Sequence, residues 1–374
     1  MSLKNKRFKT AWPFFRSASC LFSLLFINAL STKAQNNWSP TLNLGDVAPP
    51  LRVGEWVKGS PVKQFEKGQV YVLEFWATWC KPCIAAKPHL STLAREYKGK
   101  VTFIGMDIYE DDLKPLKSIK QIKAFVDSLG DNMDYAVATE DNNFTVADWL
   151  EASDEKRNGI PSTFVVDQEG RLAWIGYPTE LDTMLSKIVA NTWDLKKALA
   201  ERNEYRHLEQ VEESVREELN TYVGNPYQNF DLGKPDSSLR LIDKIIKTEP
   251  KLKFAPLISF HTFSALLKTD REKAYEYGKA MLITPSYRGT DYNNIIHPIE
   301  LYTEKTSLIT LSAKFYELAA DAYQAKIDHE PLSKESLPKI YMKMADWYWR
   351  GKNKEKAVGA AQKAIASMQT EGVF

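Results

Sequence analysis

Two cysteines three positions apart, Cys80 and Cys83, follow a run of β-branched and aromatic residues after a gap of three residues. That run, Val70–Trp76, predicts a strand. The segment 81–97 that follows carries apolar side chains at helical spacing, which predicts a helix. The thiol pair is therefore expected where a strand passes into a helix N-terminus. The one other cysteine of the sequence is Cys20, near its beginning.

The remaining pattern up to residue 193 alternates between strands and helices. Further strands are predicted around 51–57 and at 101–107, 134–139, 162–167 and 172–175. Helices are predicted at 119–129, 144–150 and 180–190. The last two strands are joined by Gln168–Arg171, which is a hairpin signal. Such an order of elements predicts an α/β layer architecture.

Strand patterns disappear after residue 193. Apolar residues recur every three or four positions from Leu195 to Tyr222, which predicts a long amphipathic helix. The segments 272–281 and 355–365 resemble each other, as helical repeats do. Small and aromatic residues fall where a tetratricopeptide-like helix pair has its contacts: Ala345, Tyr348, Ala357 and Ala364. We predict an α/β domain at 35–193 and an α-helical, tetratricopeptide-like domain at 194–374.

The first 34 residues predict a signal peptide, with a basic start, an apolar stretch at 21–30 and the small residue Ala34 at the end. The apolar stretch is shorter than the ~20 residues that cross a bilayer. Export, with the periplasm as the destination, is therefore expected; an uncleaved leader that tethers the protein to a membrane is the alternative. These residues hold six bases and no acid, which leaves 44 bases against 48 acids elsewhere. An acidic remainder argues against nucleic-acid binding.

Redox chemistry explains the Cys80–Cys83 pair better than a structural role does. A structural disulfide stabilises mainly by closing a long loop, and this one would close almost none. A structural zinc site needs four ligands, and haem attachment would need histidine where Ile84 stands. Histidines are scattered without metal-ligand spacing, at His89, His207, His261, His297 and His329. We expect no metal, and no cofactor beyond the disulfide itself.

Two linked motifs carry a family resemblance. The string from Glu74 to Cys83, with Pro88 beyond it, resembles the thioredoxin active site, and Gly159–Phe164 resembles that family's cis-proline segment. The segment Gly45–Pro50 and the leader make the chain more similar to the exported TlpA/ResA branch. The resemblance covers roughly residues 45–190 and implies a thioredoxin-like fold and thiol–disulfide exchange.

The resemblance and helix electrostatics assign roles around the thiols. A helix N-terminus favours thiolate, and in such motifs the thiol pKa falls from ~8.5 toward ~7. Cys80 would attack a substrate disulfide, and Cys83 would resolve the mixed disulfide. Glu74 stands where the family carries a buried acid and would move protons to or from Cys83; the alternative is a strand residue facing solvent. Lys81 and Pro82 are expected to tune the reduction potential.

Three residues are predicted to contact the substrate: Trp79, Ile160 and Pro161. The resemblance implies that the bond before Pro161 is cis, which leaves the Ile160 backbone free to pair with an extended substrate. Trp79 would shield the sulfurs, with plain rim packing as the alternative. The acidic run 110–112 is expected to be a solvated turn.

We therefore predict a thiol–disulfide oxidoreductase, most simply a disulfide reductase of exported proteins that carry thiols or disulfides. A membrane or periplasmic redox partner would recycle it. Two alternatives stay open: a peroxiredoxin-like thiol peroxidase, and a helical binding or scaffold protein with an incidental redox domain. The direction of electron flow depends on reduction potentials, so the sequence does not decide it.

Overall fold

A computed structural model describes the chain over residues 40–110, 118–155, 159–223, 233–305, 310–329 and 336–369. The chain divides into two units, with the boundary between Trp193 and Asp194. The predicted leader, residues 1–34, lies outside the described residues. Within the described ranges, no helix has the length and apolar character needed to span a membrane.

The first unit is built on one six-stranded sheet. Its strands are β1 (Val53–Lys58), β2 (Val70–Trp76), β3 (Val101–Asp107), β4 (Ala136–Glu140), β5 (Ser162–Val166) and β6 (Leu172–Gly176). Their order across the sheet is β1-β4-β3-β2-β5-β6. The central strands β2, β3 and β4 run parallel, whereas β1, β5 and β6 pair antiparallel with their neighbours. The strand that leads to the cysteines is therefore an interior one.

The described part of this unit holds three α-helices: α1 (Lys81–Glu96), α2 (Ile119–Leu129) and α3 (Leu181–Val189). They follow the predicted bounds closely, although α3 is preceded by a 3₁₀ turn at Pro178–Glu180. The helix predicted at 144–150 is instead a π-helix over Val146–Glu151. The thioredoxin-like α/β fold expected from the sequence is confirmed: a central sheet flanked by helices.

All seven residues of β2 are buried, so the sheet is covered on both faces. Because side chains alternate along a strand, neighbouring residues serve different faces. Glu74 and Trp76 point to the side where α1 and Cys83 pack, which we call the sulfur face. Phe75 points to the opposite side, the aromatic face. Ring contacts on that face join Phe65, Tyr71, Phe75, Trp149 and Phe164.

The second unit is helical throughout its described part, as predicted. Its helices are α4 (Leu195–Val223), α5 (Pro235–Thr248), α6 (Pro256–Thr269), α7 (Arg271–Ile283), α8 (Asn293–Glu300), α9 (Ala313–His329), α10 (Leu337–Arg350) and α11 (Lys354–Gln369). One apolar core surrounds Leu219 and Ile258, and a larger one surrounds Phe315 and Trp347. The tetratricopeptide-like character of this unit stays a prediction.

Candidate active site

Cys80 and Cys83 form a disulfide at the start of α1. Cys80 is the N-cap residue, and its sulfur accepts a hydrogen bond from the Cys83 backbone N–H at 3.2 Å. Pro82 fits the first turn because an N–H group there has no partner within the helix. The positive end of the helix dipole favours negative charge at this point. Once the disulfide is reduced, the thiolate of Cys80 is therefore the stabilised form.

The two sulfurs differ in how close they lie to solvent. Cys80 is 3% exposed and Cys83 is fully buried. The residues on either side of Cys80 are exposed, with Trp79 at 38% and Lys81 and Pro82 at the surface. Cys80 thus lies just under the surface and Cys83 behind it, in the order that attack by Cys80 and resolution by Cys83 require.

The segment before β5 lies against the nucleophile. The Ile160–Pro161 peptide bond is cis, as the resemblance implies. The carbonyl oxygen of Ile160 is 3.7 Å from the Cys80 sulfur. This follows from strand pairing, because β5 begins at Ser162 opposite Phe75, near the end of β2. The structure therefore brings Ile160 and Pro161 to the cysteines.

Glu74 lies on the sulfur face of the sheet and does not face solvent. It is 1% exposed, and its Oε2 accepts a hydrogen bond from the Lys87 ammonium at 2.6 Å. Burial raises the pKa of Glu74 against the attraction of Lys87. Burial likewise lowers the pKa of Lys87 to about 8, although Glu74 and Asp107 oppose that change. The pair is therefore a buried acid–base couple in which burial shifts the two pKa values toward each other.

Lys87 is a residue that the sequence reasoning missed. Its side chain is fully buried, and its ammonium lies 4.0 Å from the centre of the Trp76 ring. A signal was present, since Lys87 follows Cys83 by four positions and so lies on the same face of α1. A lysine on the buried face of a helix requires a partner. The partner, Glu74, belongs to a strand, and helical periodicity does not identify it.

The prediction of a solvated turn at 110–112 is wrong for Glu110. This side chain is 8% exposed and holds Thr78 with both oxygens. Oε1 accepts the Thr78 backbone N–H at 2.6 Å, and Oε2 accepts the Thr78 hydroxyl at 2.8 Å. The parallel strands β2 and β3 end at the same edge of the sheet, so Glu110 meets a buried N–H that needs an acceptor. Asp111 and Asp112 lie outside the described residues.

Asp107 closes β3 beside this contact. It pairs with Trp76 in the sheet register and is 2% exposed. Burial, together with a side-chain hydrogen bond and charge repulsion from Glu110, raises the pKa of Asp107 to about 9. Asp107 is therefore protonated at neutral pH and donates its hydrogen bond to Glu110. Sequence reasoning assigned no role to Asp107.

Part of the chain is similar to a known protein family and to individual proteins. Residues 44–175 match the model of the AhpC/TSA family. Protein FixW of Rhizobium leguminosarum is 33% identical over 157 residues, which cover 41% of this chain and 69% of that protein. The thiol-disulfide oxidoreductase ResA of Bacillus anthracis is 28% identical over 153 residues, covering 39% of this chain and 79% of ResA.

Solved structures are also similar to this part of the chain. The thioredoxin domain of a thiol-disulfide oxidoreductase from Bacteroides vulgatus is 24% identical, with a TM-score of 0.32. The match covers 40% of this chain and 99% of that domain.

Proposed function

Because the chain belongs to the AhpC/TSA family and carries a disulfide at a helix N-terminus, we propose that it reduces disulfide bonds in exported proteins. The reaction class predicted from the sequence, thiol–disulfide oxidoreduction, is confirmed by relatives that bear this name. The reductive direction and the protein substrate are the proposed part.

One observation carries the proposal: the Cys80 sulfur lies between a helix N-terminus and the Ile160 carbonyl, with Cys83 buried behind it. In the reduced enzyme the Cys80 thiolate attacks one sulfur of the substrate disulfide. A mixed disulfide forms, and the other substrate sulfur leaves as a thiolate that takes a proton from water. Cys83, deprotonated, then attacks the Cys80 sulfur and releases the second substrate thiolate. Two electrons pass to the substrate, and the Cys80–Cys83 disulfide remains.

The resolving step needs an acceptor for the Cys83 proton in a buried place. Glu74 fits that role, because it lies on the sulfur face and its Oε1 has no partner among the described residues. Lys87 holds the other oxygen at 2.6 Å and fixes the carboxyl group in position. Glu74 accepts the proton as Cys83 attacks. Lys87 stays hydrogen-bonded to Glu74 before and after this transfer.

The substrate is an extended segment next to its disulfide. The backbone at Ile160 pairs with that segment, Pro161 sets the direction of the chain there, and Trp79 covers the attacked sulfur from the exposed side. The Trp79 indole N–H donates to the Tyr109 carbonyl at 3.0 Å, which fixes the ring at the rim. Lys81 adds a positive charge next to Cys80, and with Pro82 it tunes the reduction potential.

Export is proposed from the leader predicted at 1–34, so the recycling electrons would come from a membrane or periplasmic dithiol partner. The helical unit at 194–374 is proposed to select or position the substrate protein. If that unit is removed and the captured substrates in the trapping experiment below stay the same, this role is wrong.

The test is turnover of a protein disulfide, followed by capture of the substrate. Insulin reduction by the wild type should be lost in C80S, whereas C20S, the third cysteine, should leave it unchanged. C83S should accumulate the mixed disulfide in the native compartment, where mass spectrometry identifies the bound protein. Failure of the wild type to reduce insulin, or a C83S variant that captures nothing, would contradict the proposal.

A second candidate is a thiol peroxidase, because the AhpC/TSA family also covers peroxidases. A peroxidatic cysteine works without a partner three positions away, so the bonded Cys80–Cys83 pair favours exchange. The assay is consumption of hydrogen peroxide by the reduced enzyme in a single turnover. Peroxide consumption faster than insulin reduction, and retained in C83S, would reverse the assignment.

A further inference from the structure

The loop that leads into Cys80 is bonded to the loop that leaves β3. Thr78 gives both its backbone N–H and its hydroxyl to Glu110. The next residue, Trp79, gives its indole N–H to the carbonyl of Tyr109. Two consecutive residues before the nucleophile are thus bonded to two consecutive residues of another loop. Thr78 and Glu110 are both buried, so the two bonds between them are shielded from water.

Glu110, which accepts both bonds from Thr78, is also hydrogen-bonded to a second carboxyl group. Asp107 donates a hydrogen bond to Glu110, and burial keeps Asp107 protonated at neutral pH. Other charged groups near Asp107 are Lys87 on α1 and Glu140 at the end of β4. Lys87 is already paired with Glu74 on β2. Asp107 therefore gives Glu110 a hydrogen-bond donor, while both oxygens of Glu110 accept from Thr78.

We propose that Thr78, Asp107 and Glu110 form a latch that positions Cys80 for attack on a disulfide. The inference rests on the exchange activity proposed above and adds positioning residues to it. The two hydrogen bonds to Glu110 fix the backbone of Ala77–Trp79 and thereby the start of α1. Cys80 is then held against Ile160 before the substrate arrives. Such preorganisation raises the rate of the chemical step.

A pH dependence follows from the single proton in the latch. Above about pH 9 Asp107 ionises, and two carboxylates face each other with no proton between them. Glu140 adds repulsion, and Lys87 loses its own charge in the same range. Glu110 then moves away from Asp107, and its hold on Thr78 weakens. Attack by Cys80 should slow in alkali even though its thiolate is fully formed.

The experiment isolates that first attack. In a C20S/C83S background Cys80 is the single thiol, and the step is complete when one aromatic thiolate leaves dithiobis(nitrobenzoate). The probe does not titrate across the range used, about pH 6 to about pH 10.5. In this background the rate constant should rise to a plateau and then fall about tenfold above pH 9. D107N keeps a donor for Glu110 but cannot ionise, so its plateau should extend to the top of the range.

Further variants separate positioning from stability. E110Q offers one acceptor oxygen to Thr78 instead of two, and its plateau should be about tenfold lower at every pH. The matched control is D167N, which removes a carboxylate of similar burial that caps the Glu169 and Arg171 N–H groups. D167N should keep the alkaline fall of the background.

Three results would overturn the latch, and the first two concern the pH profile. One is a background profile that stays flat to the top of the range, and the other is the same alkaline fall in D107N. Lower melting temperatures with unchanged profiles in D107N and E110Q would also overturn it, because they would show a structural role alone. Insulin reduction by the wild type is measured in parallel. If insulin is not reduced but D107N abolishes the fall, the latch stands and the proposed function is wrong.

Discussion

The two faces of the sheet use neighbouring residues of one strand for opposite purposes. On the aromatic face, Phe75 and Phe164 lie with ring centres 5.4 Å apart, and Trp149 is 5.4 Å from Phe164. On the sulfur face, one residue away, Glu74 forms a buried ion pair with Lys87. Both faces are equally closed to solvent. The aromatic face gains stability from burial, whereas the sulfur face gives up stability to keep ionisable groups near Cys83.

The two faces differ in how much their side-chain contacts contribute to stability. Ring contacts add about 0.5–1.5 kcal/mol per pair beyond burial of area. A buried ion pair often contributes no more than apolar side chains of the same size would. The sulfur face also leaves Glu74 Oε1, Trp76 Nε1 and Thr163 Oγ1 without partners among the described residues. Stability alone therefore does not explain this composition, whereas the proton movement proposed for the exchange reaction would explain it.

The largest expected effect tests the aromatic face. F164A removes a fully buried ring and should lower the free energy of unfolding by about 3–5 kcal/mol, because a cavity remains. Insulin reduction per folded molecule should stay within about twofold, since no group on the sulfur face changes. Urea unfolding and an assay well below the melting temperature check the two expectations. F164L is the control and should lose less than about 1.5 kcal/mol. A loss of turnover in folded F164A would contradict the separation of the faces.

On the sulfur face, a suitable substitution should preserve stability and slow the reaction. K87M leaves the Glu74 carboxyl without its cation and should destabilise by about 3 kcal/mol. The double variant E74L/K87M removes both charges and should recover most of that loss, because well-packed apolar residues replace the pair. Resolution by Cys83 should nevertheless slow by about 10²-fold or more in the double variant. Denaturation curves and single-turnover release of the second substrate thiol measure these effects. A double variant that is unstable, or that resolves at the wild-type rate, would show that the faces do not differ in this way.

The stability of the oxidised protein should depend on pH through Asp107. Its pKa is about 9 in the folded protein, against 3.8 as the reference value, so the folded state holds a proton that the unfolded state releases above pH 4. The free energy of unfolding therefore decreases as pH rises between these values, by at most about 1.4 kcal/mol per pH unit. Comparing D107N with the wild type by urea unfolding from about pH 5 to about pH 8 isolates this contribution. Parallel curves for the two proteins would mean that Asp107 is ionised when folded.

The sequence predicted the elements of the first unit better than the contacts between them. The β-branched and aromatic run Val70–Trp76 and the helical pattern from Lys81 placed the cysteines correctly, because both signals are local. Lys87 and Glu110 could not be placed, since each is buried only through a partner on another element. Charged residues after a strand are usually solvated, and Glu110 is an exception because β2 and β3 end at the same edge of the sheet. Local periodicity thus finds a core, and it misses polar groups that are paired across it.

The smallest expected effect concerns Tyr135, whose hydroxyl lies on the sulfur face without a partner among the described residues. Burial, with a lesser contribution from the Glu74 charge, raises the pKa of Tyr135, so it stays neutral through the working range. A buried hydroxyl without a partner is unfavourable, and Y135F should leave stability unchanged or raise it by up to about 1 kcal/mol. Turnover should not change, because the proposed transfer of the Cys83 proton to Glu74 does not involve Tyr135. Urea unfolding and insulin reduction of Y135F measure both. If Y135F instead slows resolution by Cys83, the proton leaves Glu74 through Tyr135. The groups that take part in proton transfer would then extend across the sulfur face from α1 to the start of β4.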